Sequence, residues 1–452
     1  MIILDFLFVY EHKVRELENL CLLKYELDKR GYKTRIVQIE SKEAVTSVRP
    51  IYYADVVVQM ACYQNSTIWW HTKNYVIFNK VIDMQWENIV YPKDEKNKNA
   101  YKNYSGIAKD VVRVSWGKMN QERMLNVVGM DSKKSKLIGH VGMDFLRKEF
   151  RGYYEAKEEV LNRYNIDTEK KIYLFISPYF SDLYSEENIE TMCKRFGQDW
   201  REYYKDCMLP SKAIIIDWIE KVCKERSDIV FVYRPHPGEK SEAAEALERK
   251  CCNFRVIGEL SVKQWISISE KIYTGNSSTF VEAFFADKMC YLLFPVPVPP
   301  NYELHFFANA IKIDNYEDFL KSTKENEANF PVSEELINEF YCVDKETPSY
   351  IKFANMAEEV RRNDYYKLTK KQIKACRKKT SFAYRVFLLL MKNDLIFSGY
   401  TWMISHEKWS LSKKIKNKTV IEYSDFFDNE QTTDEEILSI INKIAYLLED
   451  NR

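Results

Sequence analysis

The residues of this chain that could do chemistry concentrate at two predicted strand ends. Residues 228–239 read DIVFVYRPHPGE, a continuous apolar run that passes straight into Arg234-Pro235-His236-Pro237. Proline rings on both sides restrict the backbone around His236, so its imidazole leaves the strand end in a set direction. Arg234 adds a second cationic donor at the same point. Farther on, residues 273–283 read YTGNSSTFVEA, a second apolar strand that breaks into a Gly/Ser turn and opens a helix. Ser277, Ser278 and Thr279 offer hydroxyls and backbone N–H groups at that helix start, a place where phosphate groups bind. Glu282 lies one turn into the helix, where a carboxylate can accept ribose hydroxyls or simply answer the helix dipole. An ordinary N-capping turn uses the same residue types. What sets this one apart is its company with the Arg-Pro-His-Pro segment, and together the two predict a nucleotide mono- or diphosphate site in an open α/β sheet.

The elements that must position these residues are strands alternating with helices. Apolar runs at residues 2–9, 34–39, 55–60, 75–84 and 111–116 predict a mostly parallel first sheet, and residues 11–30, stopped by Gly31, predict its first crossover helix. The alternation starts again with strands at residues 172–176, 229–233, 254–257, 271–274 and 289–294. Beyond about residue 345 the pattern becomes helical, with Thr433 as N-cap and Glu436 at the capping-box position of the last helix. The expected fold class is therefore α/β: two facing Rossmann-like, doubly wound domains with a helical C-terminal extension. The expected divisions are 1–146, a helical linker at 147–170, a second domain at 171–345, and an extension at 346–452 that packs back on the first domain. Open sheets of this kind bind ligands outside the carboxyl ends of their strands, here in the cleft between the domains.

Composition limits the function. The chain has 452 residues, enough for two to three domains. Its 68 basic and 67 acidic side chains leave a net charge of +1, which argues against a general nucleic-acid surface, so any anion site is local. The ten cysteines are scattered, with Cys251-Cys252 the only close pair, and read as reduced thiols of a cytoplasmic protein. Residues 1–5 read MIILD, a first strand rather than a signal peptide. The late apolar run 386–391 is far below the roughly 20 residues that span a bilayer. A basic run at residues 370–379 precedes aromatic and aliphatic residues 382–402; it predicts either a solvated helix packed on the first domain or a peripheral contact with an anionic membrane. The sequence holds no DxD motif, no Walker loop and no metal-ligand cluster. The expectation is a metal-independent reaction without a cofactor, in which cationic side chains and helix N-termini stabilise a leaving phosphate.

Arg234-Pro235-His236-Pro237 and the Ser277-Ser278 turn resemble the HP and SS motifs of bacterial capsule and surface-polysaccharide glycosyltransferases. These include the polysialyltransferase-type, Kdo-transferase and CDP-glycerol glycerophosphotransferase groups. The resemblance covers the second domain well and the first more weakly. It implies a GT-B architecture in which His236, Ser277 and Ser278 hold the phosphate of a nucleotide-sugar donor, commonly a cytidine nucleotide. In the first domain, residues 11–18 (EHKVRELE) and 84–88 (MQWEN) are similar to segments of surface carbohydrate biosynthesis proteins, which implies that His12 and Arg15 face the cleft. Such an enzyme needs a base to take a proton from the acceptor hydroxyl, and a carboxylate at the end of a first-domain strand is the expected supplier. Glu87 is the first choice and Asp83 the reserve, although the family's acid-acid-Gly triplet is absent from this region. Residues 138–144 (IGHVGMD) resemble the Gly-Asn-Pro-Arg-type turn that ends the first domain, which implies a cleft position for His140. The expected partners are a nucleotide-sugar donor, favouring CMP or CDP over UDP, and a glycan or lipid-linked glycan acceptor at the cytoplasmic membrane face. The alternatives are a polyol-phosphate transferase using CDP-glycerol or CDP-ribitol, and a non-catalytic GT-B-like scaffold.

Overall fold

The computed structural model of the chain describes residues 1–86, 88–96, 104–179, 186–236, 239–325, 330–377, 382–405 and 431–450. The chain forms two compact α/β units. The first comprises Met1–Asn88, Ala100–Asp144 and Glu339–Arg452; the second comprises Ile89–Asn99 and Phe145–Asn338. Neither unit is one continuous stretch, as a reading of 1–146 and 171–345 would have it. Residues 89–96 pack with the second unit, where the Lys93 ammonium meets the Asp199 carboxylate at 2.9 Å and the Tyr302 hydroxyl at 2.6 Å. Residues of the expected 147–170 linker also pack there, through paired hydrogen bonds between the Glu155 backbone and the Gln264 side chain.

The first unit is built on a six-stranded parallel sheet: β1 (Ile2–Tyr10), β2 (Thr34–Gln38), β3 (Tyr52–Gln59), β4 (Val76–Asp83), β5 (Val112–Ser115) and β6 (Ser135–Leu137), in the order β2-β1-β3-β4-β5-β6. The helix Lys13–Lys29 crosses from β1 to β2 and buries Leu17, Leu20, Leu23 and Leu27. It ends at Gly31, whose φ of +87° only glycine adopts without strain. The helix Ser349–Arg362 is capped by the Asp144 carboxylate, which accepts from the Ser349 and Tyr350 N–H groups at 3.1 and 2.7 Å. The last helix, Asp434–Asp450, packs on Lys13–Lys29 and buries Ile437 and Ile444. The Thr433 hydroxyl caps it at 3.1 Å, but the Glu436 carboxylate turns to the Lys13 ammonium at 2.8 Å, so only half of the expected capping box forms.

The second unit repeats the plan with β7 (Lys171–Ile176), β8 (Ile229–Arg234), β9 (Phe254–Val256), β10 (Lys271–Thr274), β11 (Cys290–Leu293) and β12 (Lys312–Ile313), all parallel, in the order β12-β11-β10-β7-β8-β9. Numbered within the unit this is the Rossmann order 3-2-1-4-5-6, whose topological switch point lies between β7 and β10. Every residue of β8 is buried, as expected of a strand covered on both faces. The crossover from β7 to β8 is a long helical run in which Asp199–Glu202 and a π-turn at Tyr203–Met208 lead directly into Leu209–Glu225. Pro210 does not break this run, because it falls in the first turn of the helix that follows the π-turn, where a missing N–H is tolerated.

Candidate functional site

The two chemistry-bearing segments leave the second sheet at one level of one edge. In the parallel register Ile176 of β7 lies opposite Arg234 of β8 on one side and Thr274 of β10 on the other. The chain then runs from Arg234 to His236 and from Thr274 to Ser277, so both turns stand above the carboxyl edge, separated only by the end of β7. Two strand spacings put them roughly 10 Å apart at the sheet. β10 and β7 also bound the switch point, where open α/β sheets take their ligands. Gly275 runs so close to the β7 turn that a Cβ there would sit 2.8 Å from Pro178 Cγ, and this contact requires glycine.

His236 is exposed, and its turn is held from behind by Glu239. The Glu239 carboxylate accepts from the His236 N–H at 3.0 Å and the Tyr233 hydroxyl at 2.5 Å, and pairs with the Lys212 ammonium at 2.7 Å. The protein packed beside the imidazole lowers its pKa, with Arg234 acting in the same direction and Glu239 opposing. The sequence reading gave Glu239 no role; its signal was the three-residue spacing from His236, which lets a carboxylate reach back to a turn N–H. Pro237 and Gly238 lie outside the described residues.

Arg234 differs from the expectation of a direct phosphate ligand. Its guanidinium is buried and donates to the carbonyls of Gly258 at 3.1 Å and Leu260 at 2.8 Å, which fixes the loop after β9. Leu260 has a φ of +62°, unusual for a branched side chain, and the arginine holds it there. Burial lowers the Arg234 pKa, while Glu282 and Glu259 oppose. Arg234 is thus a clamp that places positive charge under the edge.

The Ser277 hydroxyl lies 2.9 Å from that of Thr279 and accepts from the Thr279 N–H at 3.3 Å. Ser278 occupies the N-cap position of Thr279–Phe285 without a side-chain cap bond and is exposed. Asn276 donates to the Tyr203 hydroxyl at 3.0 Å and the Tyr302 carbonyl at 2.8 Å, which fastens the turn to the unit. Glu282 is brought to the same edge, within electrostatic reach of Lys263 and Arg234; burial raises its pKa against both charges, and its buried Oε2 has no hydrogen-bond partner among the described residues. Behind the turn a cavity of about 30 Å³, lined by Tyr91, Pro178, Tyr203, Ser211 and Asn276, has room for a water or two.

In the first unit the expected residues that are described lie after β1, at the end of β4 and after β6. His12 is the N-cap of Lys13–Lys29 at the end of β1, and Arg15 is exposed one turn on. The next residue, Glu16, which has no role in the sequence analysis, is fully buried: its carboxylate accepts from the Glu11 and His12 N–H groups at 2.8 and 3.3 Å and from the Arg15 guanidinium at 2.6 Å. Burial raises the Glu16 pKa, with Arg15 opposing. His140 packs its ring 4.2 Å from that of Trp116 and 5.7 Å from that of Trp86. A Cβ on Gly142 would lie 2.7 Å from His140 and 3.0 Å from Asn19, so the His140 turn runs beside the first turns of Lys13–Lys29. Asp83, the reserve base, is sealed in the interior against the Arg113 guanidinium at 3.0 Å, and its carboxylate also accepts the Gln85 N–H at 2.9 Å. A carboxylate held this way fixes the loop after β4 and does not reach an acceptor. Glu87 lies outside the described residues.

No family model matches the chain, and no curated protein sequence matches it. Among solved structures, the wall teichoic acid polymerase TagF is 13% identical, with a TM-score of 0.49 over 79% of this chain and 89% of that one. The S. aureus MnaA–UDP co-structure is 14% identical, with a TM-score of 0.46 over 80% of this chain and 95% of that one. A UDP-N-acetylglucosamine 2-epimerase is 13% identical, with a TM-score of 0.46 over 80% and 96%. Likeness at this level carries no chemistry, which has to come from the residues at the sheet edge. Among the described residues no helix is long and apolar enough to cross a membrane, and no group of three His, Cys, Asp or Glu side chains could hold a metal ion.

Proposed function

We propose that this chain is a GT-B glycosyltransferase that moves a sugar from a nucleotide-activated donor to a surface-glycan hydroxyl, without a metal ion. The observation that carries the reading is the register that sets the His236 turn and the Ser277 turn on either side of β7 at the switch point. In this reading His236 and the hydroxyls of Ser277, Ser278 and Thr279 hold the donor phosphate, and Arg234 supplies positive field while shaping the adjacent loop. Glu282, whose buried Oε2 lacks a hydrogen-bond partner among the described residues, takes the ribose. Negative charge grows on the phosphate as the glycosidic bond breaks, and fixed donors at that point lower the barrier. On the acceptor side His12, Arg15 and His140 line the approach, and Glu87 takes the proton. The donor is a cytidine nucleotide in the first instance and a uridine nucleotide in the second, and the acceptor is a glycan presented at the cytoplasmic membrane face.

Calorimetric titration with CMP, CDP, UMP and UDP tests this directly. One of the four should bind, and more tightly as pH falls from neutral, because an anion favours the protonated imidazole, whose pKa the surrounding protein lowers in the free chain. His236→Ala should fold normally and lose both turnover and this pH dependence. Failure of all four to bind leaves a scaffold; release of a polyol phosphate from CDP-glycerol or CDP-ribitol identifies the other transfer reaction.

A further inference from the structure

The helices Phe382–Leu390 and Asp394–Ser405 of the first unit turn apolar side chains outward. On the first, Phe382, Val386, Leu389 and Leu390 recur at the spacing of one helical face. A stripe of this kind on a core helix is covered, yet these four are 83, 40, 52 and 52% exposed. Leu388 and Met391 are buried and fasten the other side to the unit. The second helix continues with Leu395 and Ile396, 85 and 42% exposed. Adjoining exposed apolar side chains of this size mark an interaction surface.

The surrounding charge identifies what covers it. Residues 370–405 contain eight Lys or Arg and a single acid, Asp394, a local balance of +7 in a chain whose net charge is +1. Lys370, Lys371, Lys374 and Arg377 are all exposed. A two-fold interface with a second copy would set this positive patch against itself. An apolar strip bordered by positive charge instead complements a surface that is oily beneath and anionic above. With nine and twelve residues the helices are too short to cross a bilayer, which takes roughly 20, so they lie in its surface.

The element is tied to a definite place in the fold. Phe382–Leu390 packs on the short helix Lys42–Thr46, which follows the carboxyl end of β2, and Lys42 pairs with Asp394 while lying 5.6 Å from the Phe397 ring centre. We propose that the 382–405 helix pair lays its apolar face into an anionic lipid bilayer and holds the carboxyl edge of the first sheet close to it. One consequence, that a lipid-linked acceptor is met at that edge, rests on the transferase reading.

The test is co-sedimentation of the full chain with vesicles of phosphatidylcholine alone and of phosphatidylcholine containing a quarter phosphatidylglycerol, at low and high salt, alongside nucleotide titration. The chain should bind the anionic vesicles, part of that binding should survive high salt, since apolar insertion is not screened, and Leu389→Ser with Leu390→Ser should weaken it roughly tenfold or more without changing nucleotide affinity. Absence of vesicle binding overturns the proposal, as does equal binding by the variant. So does a double substitution that turns a dimer into a monomer while leaving vesicle binding intact, which would make the face a subunit contact. Vesicle binding without nucleotide binding would remove the transferase reading and leave the membrane surface standing.

Discussion

The carboxyl edges of the two sheets use the same device to different ends. In each a buried arginine holds a neighbouring loop by its carbonyls: Arg113 donates to Cys62 and Ala108 at 2.6 and 3.2 Å, and Arg234 to Gly258 and Leu260. Arg113 is neutralised by Asp83 at 3.0 Å, and burial raises the Asp83 pKa while the arginine opposes. Arg234 has no such ion pair among the described residues, only Glu282 and Glu259 at longer range. Around it His236 and Ser278 are exposed, and the buried Oε2 of Glu282 has no hydrogen-bond partner among the described residues. A closed ion pair stabilises a loop; a clamp whose charge is left open makes an edge that attracts anions.

The sharpest way to break this comparison is to open the closed pair. Asp83→Asn leaves the Arg113 charge buried and uncompensated and should destabilise the first unit by ~3–5 kcal/mol. Hydrogen exchange should report the loss in first-unit peptides, with nucleotide affinity of the second unit preserved; a loss below ~1 kcal/mol would mean that water already reaches the pair.

Acid should separate the units next. His71, in the first unit, is buried and its pKa falls to about 3, chiefly by desolvation, with Lys73 adding to it. A depressed pKa contributes stability that is present above the unfolded value and lost as pH falls through the folded one, so this contribution disappears between 6.5 and about 3. Glu16 and Asp83, raised by burial, work in the opposite direction, so the informative quantity is the difference between wild type and His71→Phe. The variant should lose several kcal/mol less than the wild type across that window in denaturant titrations; parallel curves would show that His71 is already hydrated. The smallest effect is expected for Arg234→Met. It should cost ~1–3 kcal/mol by leaving two carbonyls unsatisfied and weaken nucleotide binding as well, whereas unchanged affinity would confine Arg234 to the loop.

Ten of the twelve strands were legible, most of them as apolar runs long enough to be covered on both faces; β9, as short as β6, showed through Phe254 and Val256. The two that were not, β6 and β12, are three and two residues long and begin at Ser135 and Lys312, so neither carries a period. Pro210 hid the start of its helix, since local sequence does not reveal that a π-turn precedes it. At the site, proline and glycine punctuation made the two turns visible. The pairing of Asp83 with Arg113 was not, because it joins β4 to β5 across the sheet. For the same reason Arg234 read as a ligand: the carbonyls it holds lie 24 and 26 residues away.

The central claim is that the His236 and Ser277 turns act on one anion. A double-mutant cycle with His236→Ala, Ser277→Ala and the combined variant, read by calorimetric titration of the nucleotide that binds, tests it most directly. Each single change should weaken binding, and the pair should couple by about 0.5 kcal/mol or more, as side chains sharing one partner do. Wild-type affinity in both single variants, or strictly additive losses, would contradict it.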